Sequence, residues 1–132
     1  MSAIEMIEKI RESQIASFRK GYELDSKTYK FSYTVDELRS AYDKSLGNAA
    51  SVLSDKNQRC ACFACKRIFP VSEIRDCDVF DDEAICLLES DCQQTVACPY
   101  CNTDSIICEK DVKITEKLVD ELNRVSGLHL DF

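Results

Sequence analysis

Residues 97–107 read ACPYCNTDSII. The tetrapeptide Cys98-Pro99-Tyr100-Cys101 belongs to one of two chemistries. It is either the dithiol of a thiol redox enzyme or one half of a zinc site. The two alternatives demand different folds, because a redox dithiol sits at the start of a helix and a zinc turn sits between short strands.

Glutaredoxins place this motif early in the domain, after the first strand and before a long helix, and need a later cis-proline beside the dithiol. Here Cys101 stands 31 residues from the last residue of the sequence, and neither proline, Pro70 or Pro99, follows it. The residues after it, NTDSIICEK, read as a turn and a strand. Thr95–Ala97 and Ser105–Cys108 are expected to form a hairpin with the Cys98–Cys101 turn at its tip.

A second Cys-x-x-Cys turn supports the zinc alternative. It lies in Cys60-Ala-Cys62-Phe-Ala-Cys65-Lys-Arg-Ile-Phe69. Each such turn presents two sulfurs on one side of a tight loop, and two turns supply the four thiolates of a structural Zn²⁺ site. Backbone N–H groups of the turn offset the thiolate charge. Cys62, Cys65, Cys98 and Cys101 are therefore assigned as metal ligands. Cys60 is a feasible substitute for Cys62, and Cys62 is preferred because it makes the two turns equivalent. Thirty-two residues separate Cys65 from Cys98, against about 15–20 in the usual pattern, so a hairpin or helix is inserted between the turns. Phe69 is placed to pack under the metal. Asn102 tolerates the left-handed backbone that follows such a turn. Cys86 and Cys108 lie in apolar runs and read as small core residues, and Cys77 and Cys92 read as thiols without a role.

The bulk properties agree with a metal-assisted globular domain. The chain has 132 residues, 45% of them hydrophobic and 31% charged, an ordinary balance for one folded unit. Nine cysteines are an odd number, and the N-terminus MSAIEMIEKIRESQ carries three acids in its first 12 residues and no apolar signal segment. That combination predicts a cytoplasmic protein with reduced, metal-binding cysteines rather than a disulfide framework. No stretch approaches the roughly 20 apolar residues of a membrane span.

Charge is unevenly spread. Residues 1–59 hold 10 Lys/Arg and 9 Asp/Glu, a net of +1, whereas residues 60–132 hold 7 Lys/Arg and 15 Asp/Glu, a net of −8. Asp76, Asp78, Asp81, Asp82 and Glu83 fall within eight positions. An acidic half disfavours nucleic acid, whose phosphates require Lys and Arg, and favours a basic protein partner. The single histidine, His129, and the absence of a nucleophile–base pattern or Gly-rich phosphate loop give nucleophilic catalysis and phosphate binding little support.

Around the cysteine-rich part, Ile4, Ile7, Ile10, Ile15 and Phe18 recur at helical spacing over residues 2–20, with Gly21 as a stop. Tyr29, Phe31 and Tyr33 alternate with polar residues and predict a short strand, or a loop whose aromatics cover the core. Thr34-Val-Asp-Glu37 is a capping box opening a second helix with Leu38, Ala41, Tyr42 and Leu46 inward. Gly47-Asn48 ends it, and a short helix runs from Ala49 to about Asp55. Ile85–Leu88 predicts a strand. Thr115 caps a last helix with Leu118, Val119, Leu122 and Val125 inward and Gly127 as its stop. The fold class is α+β: N-terminal helices packed on a small antiparallel sheet that carries two zinc-knuckle turns, closed by a C-terminal helix. Residues 1–59 form the helical region and 60–132 the zinc-ribbon-like region of one compact unit.

CACFACKRIFPVSEI followed by CPYCNTDSII resembles a group of small bacterial cytoplasmic proteins with the pattern Cys-x-Cys-Phe-x-Cys, Ser-x-Glu-Ile and Cys-Pro-Tyr-Cys-Gly-x-Asp-Ser-x-Ile. The likeness covers Cys60 to about Ile107. Asn102 replaces the family's Gly, the inter-turn stretch is longer, and residues 1–50 have no counterpart. The resemblance implies a zinc-ribbon-like, metal-stabilised fold and lends no catalytic residue. The expected function is a non-catalytic acidic binding protein, with an immunity protein that masks a basic, nuclease-like toxin as the leading form. The alternatives are a nucleic-acid or transcription-linked zinc ribbon, supported locally by Lys66 and Arg67, and a thiol redox enzyme using Cys98 and Cys101.

Overall fold

A computed structural model describes residues 2–81 and 94–126. It is an α+β protein. In chain order the elements are α1 (Ala3–Asp25), α2 (Val35–Asp43), α3 (Ala49–Leu53), β1 (Arg59–Cys62), β2 (Arg67–Pro70), β3 (Val79–Asp81), β4 (Gln94–Val96), β5 (Ile106–Cys108) and α4 (Glu116–Ser126). Single 3₁₀ turns at Val71–Glu73 and Asp76–Asp78 lead from β2 to β3. None of the helices is long and apolar enough to cross a membrane, among the described residues.

The central element is β1. It pairs antiparallel with β2 on one side and with β5 on the other, giving the order β2-β1-β5. Side chains alternate across a strand, and here both faces are covered. Ala61, Phe63 and Ile107 face a core made with Phe18, Leu38, Ala41, Leu118, Val119, Leu122 and Val125 from α1, α2 and α4. Cys60, Cys62, Ile106 and Cys108 face a second core made with Ala49 and Val52 of α3, Val96 of β4, Phe69, Val71 and Cys98. A strand buried on both faces has no polar alternation, which is why CACFAC, residues 60–65, reads as an unbroken apolar run.

The expected hairpin between β4 and β5 does not form. β4 pairs with β3, in register Val79↔Val96 and Asp81↔Gln94, while β5 pairs with β1, in register Cys60↔Cys108 and Cys62↔Ile106. The second cysteine turn thus links two sheets, and the hairpin belongs to the first turn, between β1 and β2. Asn48 joins the sheets. Its buried side chain donates to Ile106 O at 2.7 Å and accepts from Val96 N at 3.2 Å. Gly47, at φ 58°, lets the chain turn out of α2, and its N–H donates to the Thr95 hydroxyl at 2.8 Å. Asn48→Leu leaves a buried carbonyl and a buried N–H without a partner. It is expected to cost about 2 kcal/mol, read as a shift in the midpoint of urea unfolding at constant slope.

The helices follow their local signals in part, and α2 ends at Asp43, short of Leu46 and the expected stop at Gly47-Asn48. α2 opens with both hydrogen bonds of the Thr34–Glu37 capping box, and the Thr115 hydroxyl accepts from Leu118 N at 3.0 Å at the start of α4. Gly21 is not a stop: α1 continues through it to Asp25, and the glycine lies against α4, where an added Cβ would sit 3.5 Å from Val125 O. Tyr29, Phe31 and Tyr33 form no strand. They line a loop over the helical core, with Tyr22 and Phe31 stacked at 4.2 Å and Tyr29 edge-on to Phe31 at 4.9 Å. Ring contacts of this kind add to area burial. On α1, Phe18 is buried, whereas Ile4 and Ile10 are exposed. The expected strand at 85–88 and the stop at Gly127 lie outside the described residues.

The loop is held by a residue the hydrophobic pattern did not mark. Glu121 of α4 is fully buried, and its carboxylate accepts from Tyr29 Oη at 2.9 Å, Ser32 N at 3.0 and 3.1 Å and Tyr33 N at 3.0 Å. Arg124, one turn on, lies 3.9 Å from the Tyr29 ring centroid and pairs with Asp25 at 3.0 Å, tying α4 to the end of α1.

Candidate metal centre

The two cysteine turns meet at the ends of β1 and β4. Cys62 is the last residue of β1 and faces the second core. Cys98 is reached two residues beyond β4 and is fully buried, as is Cys62, while Cys65 and Cys101 are half-buried at the rim. The Sγ atoms of Cys62 and Cys101 are 3.5 Å apart, those of Cys65 and Cys98 are 3.8 Å apart, and all four lie within 4.8 Å of one another. These are not bonded sulfurs, since a disulfide requires about 2.05 Å. Four sulfurs on a tetrahedral metal at about 2.3 Å stand about 3.8 Å from each other. The cluster fits that geometry.

The two turns have the same local form. In each, the residue after the second cysteine takes a left-handed backbone: Lys66 at φ 63° and Asn102 at φ 62°. In each, its N–H closes the loop onto the first cysteine's carbonyl, at 2.7 Å to Cys62 O and 2.8 Å to Cys98 O. In the second turn a backbone N–H also points at sulfur, Tyr100 N lying 3.4 Å from Cys98 Sγ. Asn102 suits its backbone by residue type. Lys66 does not, and its occurrence at the equivalent position is the signal that sequence reading passed over.

Electrostatics in the cluster favour an added cation. The Cys98 thiol is lowered to about 5, chiefly by the neighbouring Cys62 thiol, against the upward push of burial, with the Tyr100 N–H assisting. Cys62 is driven up in turn, first by Cys98 and then by burial. Cys65 is raised to about 11, mainly by burial. Four sulfurs this close cannot all ionise unaided, and a divalent metal removes the conflict by replacing the protons.

The scaffold reaches the turns from both cores. Asn123 of α4 donates through Nδ2 to Phe63 O at 2.9 Å and Ala64 O at 3.1 Å, the two middle residues of the first turn. Lys66 pairs with Asp120 of the same helix at 3.4 Å. Phe63 is buried on the helical side, 5.5 Å from Tyr42 by ring centroids. Phe69 packs edge-on to Tyr100 at 5.3 Å, and the Arg67 guanidinium lies over the Tyr100 ring at 4.4 Å. The Tyr100 hydroxyl donates to Glu73.

Cys60 is not in the cluster. It lies opposite Cys108 in the β1–β5 pair, and both are buried core residues. Burial raises Cys60 to about 12 and Cys108 to about 11. Cys77 is exposed, and Cys86, Cys92 and His129 lie outside the described residues.

The acidic segment is less uniform than its composition. Asp76 and Asp81 are exposed, and Asp81 accepts from Gln94 Nε2 at 3.2 Å. Asp78 has a side chain only 4% exposed and accepts from Arg75 N at 2.8 Å, Nε at 3.2 Å and Nη2 at 3.1 Å. Burial pushes its carboxyl up, but those bonds and the Arg75 charge outweigh it and hold the group below the usual carboxylate range. Asp78 therefore works inside the fold, and of the five acids only Asp76 and Asp81 are exposed among the described residues. Asp82 and Glu83 lie outside the described residues.

No family model matches the chain, and neither the curated proteins nor the solved structures contain a significant match to it.

Proposed function

We propose that the protein is a non-catalytic binding protein whose fold is held by a structural Zn²⁺ on Cys62, Cys65, Cys98 and Cys101, and whose acidic half engages a basic protein. The observation that carries the metal reading is the four-sulfur cluster within 4.8 Å, presented by two turns of the same backbone form. A catalytic zinc keeps a coordination position open for water or substrate, and four protein thiolates leave none. Zinc fits an all-thiolate tetrahedral donor set.

The redox alternative has less support. The CPYC motif lies between β4 and β5, no helix begins at it, and Cys98 is fully buried. The nucleic-acid alternative meets a net charge of −8 over residues 60–132. A basic partner, of which a nuclease-like toxin domain masked by an immunity protein is the leading form, fits that charge. The likeness of Cys60–Ile107 to small zinc-ribbon-like bacterial proteins points the same way on the metal and is silent on the partner.

Elemental analysis of purified protein is expected to give one zinc per chain, with Cys62, Cys65, Cys98 and Cys101 protected from alkylation until a chelator is added. No metal, with Cys98 and Cys101 reactive or disulfide-bonded, would return the CPYC motif to redox chemistry. For the partner, capture from the native host should yield a basic protein whose binding falls steeply with salt and with Asp76→Lys combined with Asp81→Lys. Capture indifferent to both would end the acidic-surface reading.

A further inference from the structure

Thr103 touches three of the four cysteine residues. Its backbone carbonyl accepts from Cys98 N at 2.8 Å. Its hydroxyl oxygen lies 3.1 Å from Cys101 Sγ and 3.7 Å from Cys62 Sγ. The two sulfurs it reaches come from different turns. Cys62 belongs to β1 and Cys101 to the turn after β4.

The turns share their backbone form and differ at this position: two residues beyond Cys65 stands Arg67, whereas two residues beyond Cys101 stands Thr103, whose hydroxyl reaches the Cys101 sulfur. A divalent metal on four thiolates carries a net charge of −2, so each donor aimed at sulfur lowers the cost of holding that charge in a half-buried site. The hydroxyl has one proton. Once the cysteines are thiolates it must donate to sulfur, and Cys101 is the nearer acceptor.

We infer that Thr103 is a positioning residue of the metal centre: its hydroxyl donates to the Cys101 thiolate and, across the turns, toward Cys62, fixing both for the metal. This rests on the proposed metal reading. The backbone bond to Cys98 does not depend on the side chain, so Thr103→Val removes the hydroxyl while keeping shape and chain path. Thr103→Ser keeps the hydroxyl and removes the methyl.

The probe is Co²⁺, followed by its sulfur-to-metal charge-transfer absorption, with Zn²⁺ affinity taken by competition. Thr103→Val is expected to lower affinity by about 10–100-fold, the range for loss of such an outer partner. The charge-transfer band should shift, and Cys101 should be alkylated faster in the metal-loaded protein. Thr103→Ser should restore all three. Wild-type affinity, band and alkylation rate in Thr103→Val would overturn the role of Thr103 alone. Equal losses in Val and Ser variants would also overturn it, assigning the effect to packing. A wild-type protein that gives no charge-transfer band and takes up no zinc would overturn the metal reading itself and this inference with it.

Discussion

Cys98→Ser is expected to abolish the cooperative unfolding transition rather than lower its midpoint by a few degrees. Serine offers a poor zinc ligand and places a hydroxyl at a fully buried position. Structural zinc in small domains is bound with about 10–16 kcal/mol, and that binding is folding free energy. A whole domain is stable by only about 5–15 kcal/mol, so losing even part of the metal's contribution exceeds the margin. The damage should not stay in the cysteine-rich part. β1 and β5 give Cys60, Cys62, Ile106 and Cys108 to one core and Ala61 and Ile107 to the other. When the sheet loses its metal-side support, α1, α2 and α4 lose the surface they pack on.

The measurement is thermal unfolding by near- and far-ultraviolet circular dichroism, with metal content determined on the same sample. A chelator added to the wild-type protein should reproduce the variant. Cys62→Ser should behave as Cys98→Ser does. Cys60→Ala should retain one zinc and lose about 1 kcal/mol, as an ordinary core substitution does. A Cys98→Ser protein that melts like the wild type would show that the cores suffice without a metal.

Much of this arrangement was legible because its determinants are local. A Cys-x-x-Cys turn is specified within five residues, and the Thr34–Glu37 box within four. The periodicity of Leu118, Val119, Leu122 and Val125 is specified within one helix. What could not be read was non-local. Whether Thr95-Val96 pairs with Ile106-Ile107 or with Val79-Phe80 is decided by which cores the strands close. Both choices satisfy the same short-range pattern. Buried polar residues were equally opaque. Asn48, Asn123 and Glu121 look like surface residues of helices or turns. Each is drawn inward by backbone groups at least 48 residues away: Val96 N and Ile106 O for Asn48, Phe63 O and Ala64 O for Asn123, and Ser32 N and Tyr33 N for Glu121. Gly21 failed as a stop for a related reason, since α4 packs against the helix there and carries it on for another turn.

Glu121→Ala should be the most destabilising single change outside the metal centre. The carboxylate is fully buried and takes hydrogen bonds from two backbone N–H groups and one phenol of the loop that follows α1. Removing it leaves Ser32 N and Tyr33 N without their acceptor in a part-buried place. It also frees Tyr29, which holds Arg124 and Phe31 by ring contacts. Leaving two backbone donors without their acceptor costs about 1–3 kcal/mol each. For a chain of this size that is a fall in melting temperature on the order of 10 °C or more. Glu121→Gln keeps the volume and one acceptor oxygen but turns an amide N–H₂ toward donors, so it should fall between the alanine variant and the wild type. The metal centre separates this effect from that of Cys98→Ser: α4 reaches the first cysteine turn through Asn123 and Asp120, not through Glu121. The Glu121 variants should therefore keep one zinc per chain below their lowered melting temperature. Loss of zinc in folded Glu121→Gln would mean that the loop and the metal centre are coupled through α4 more tightly than these contacts require.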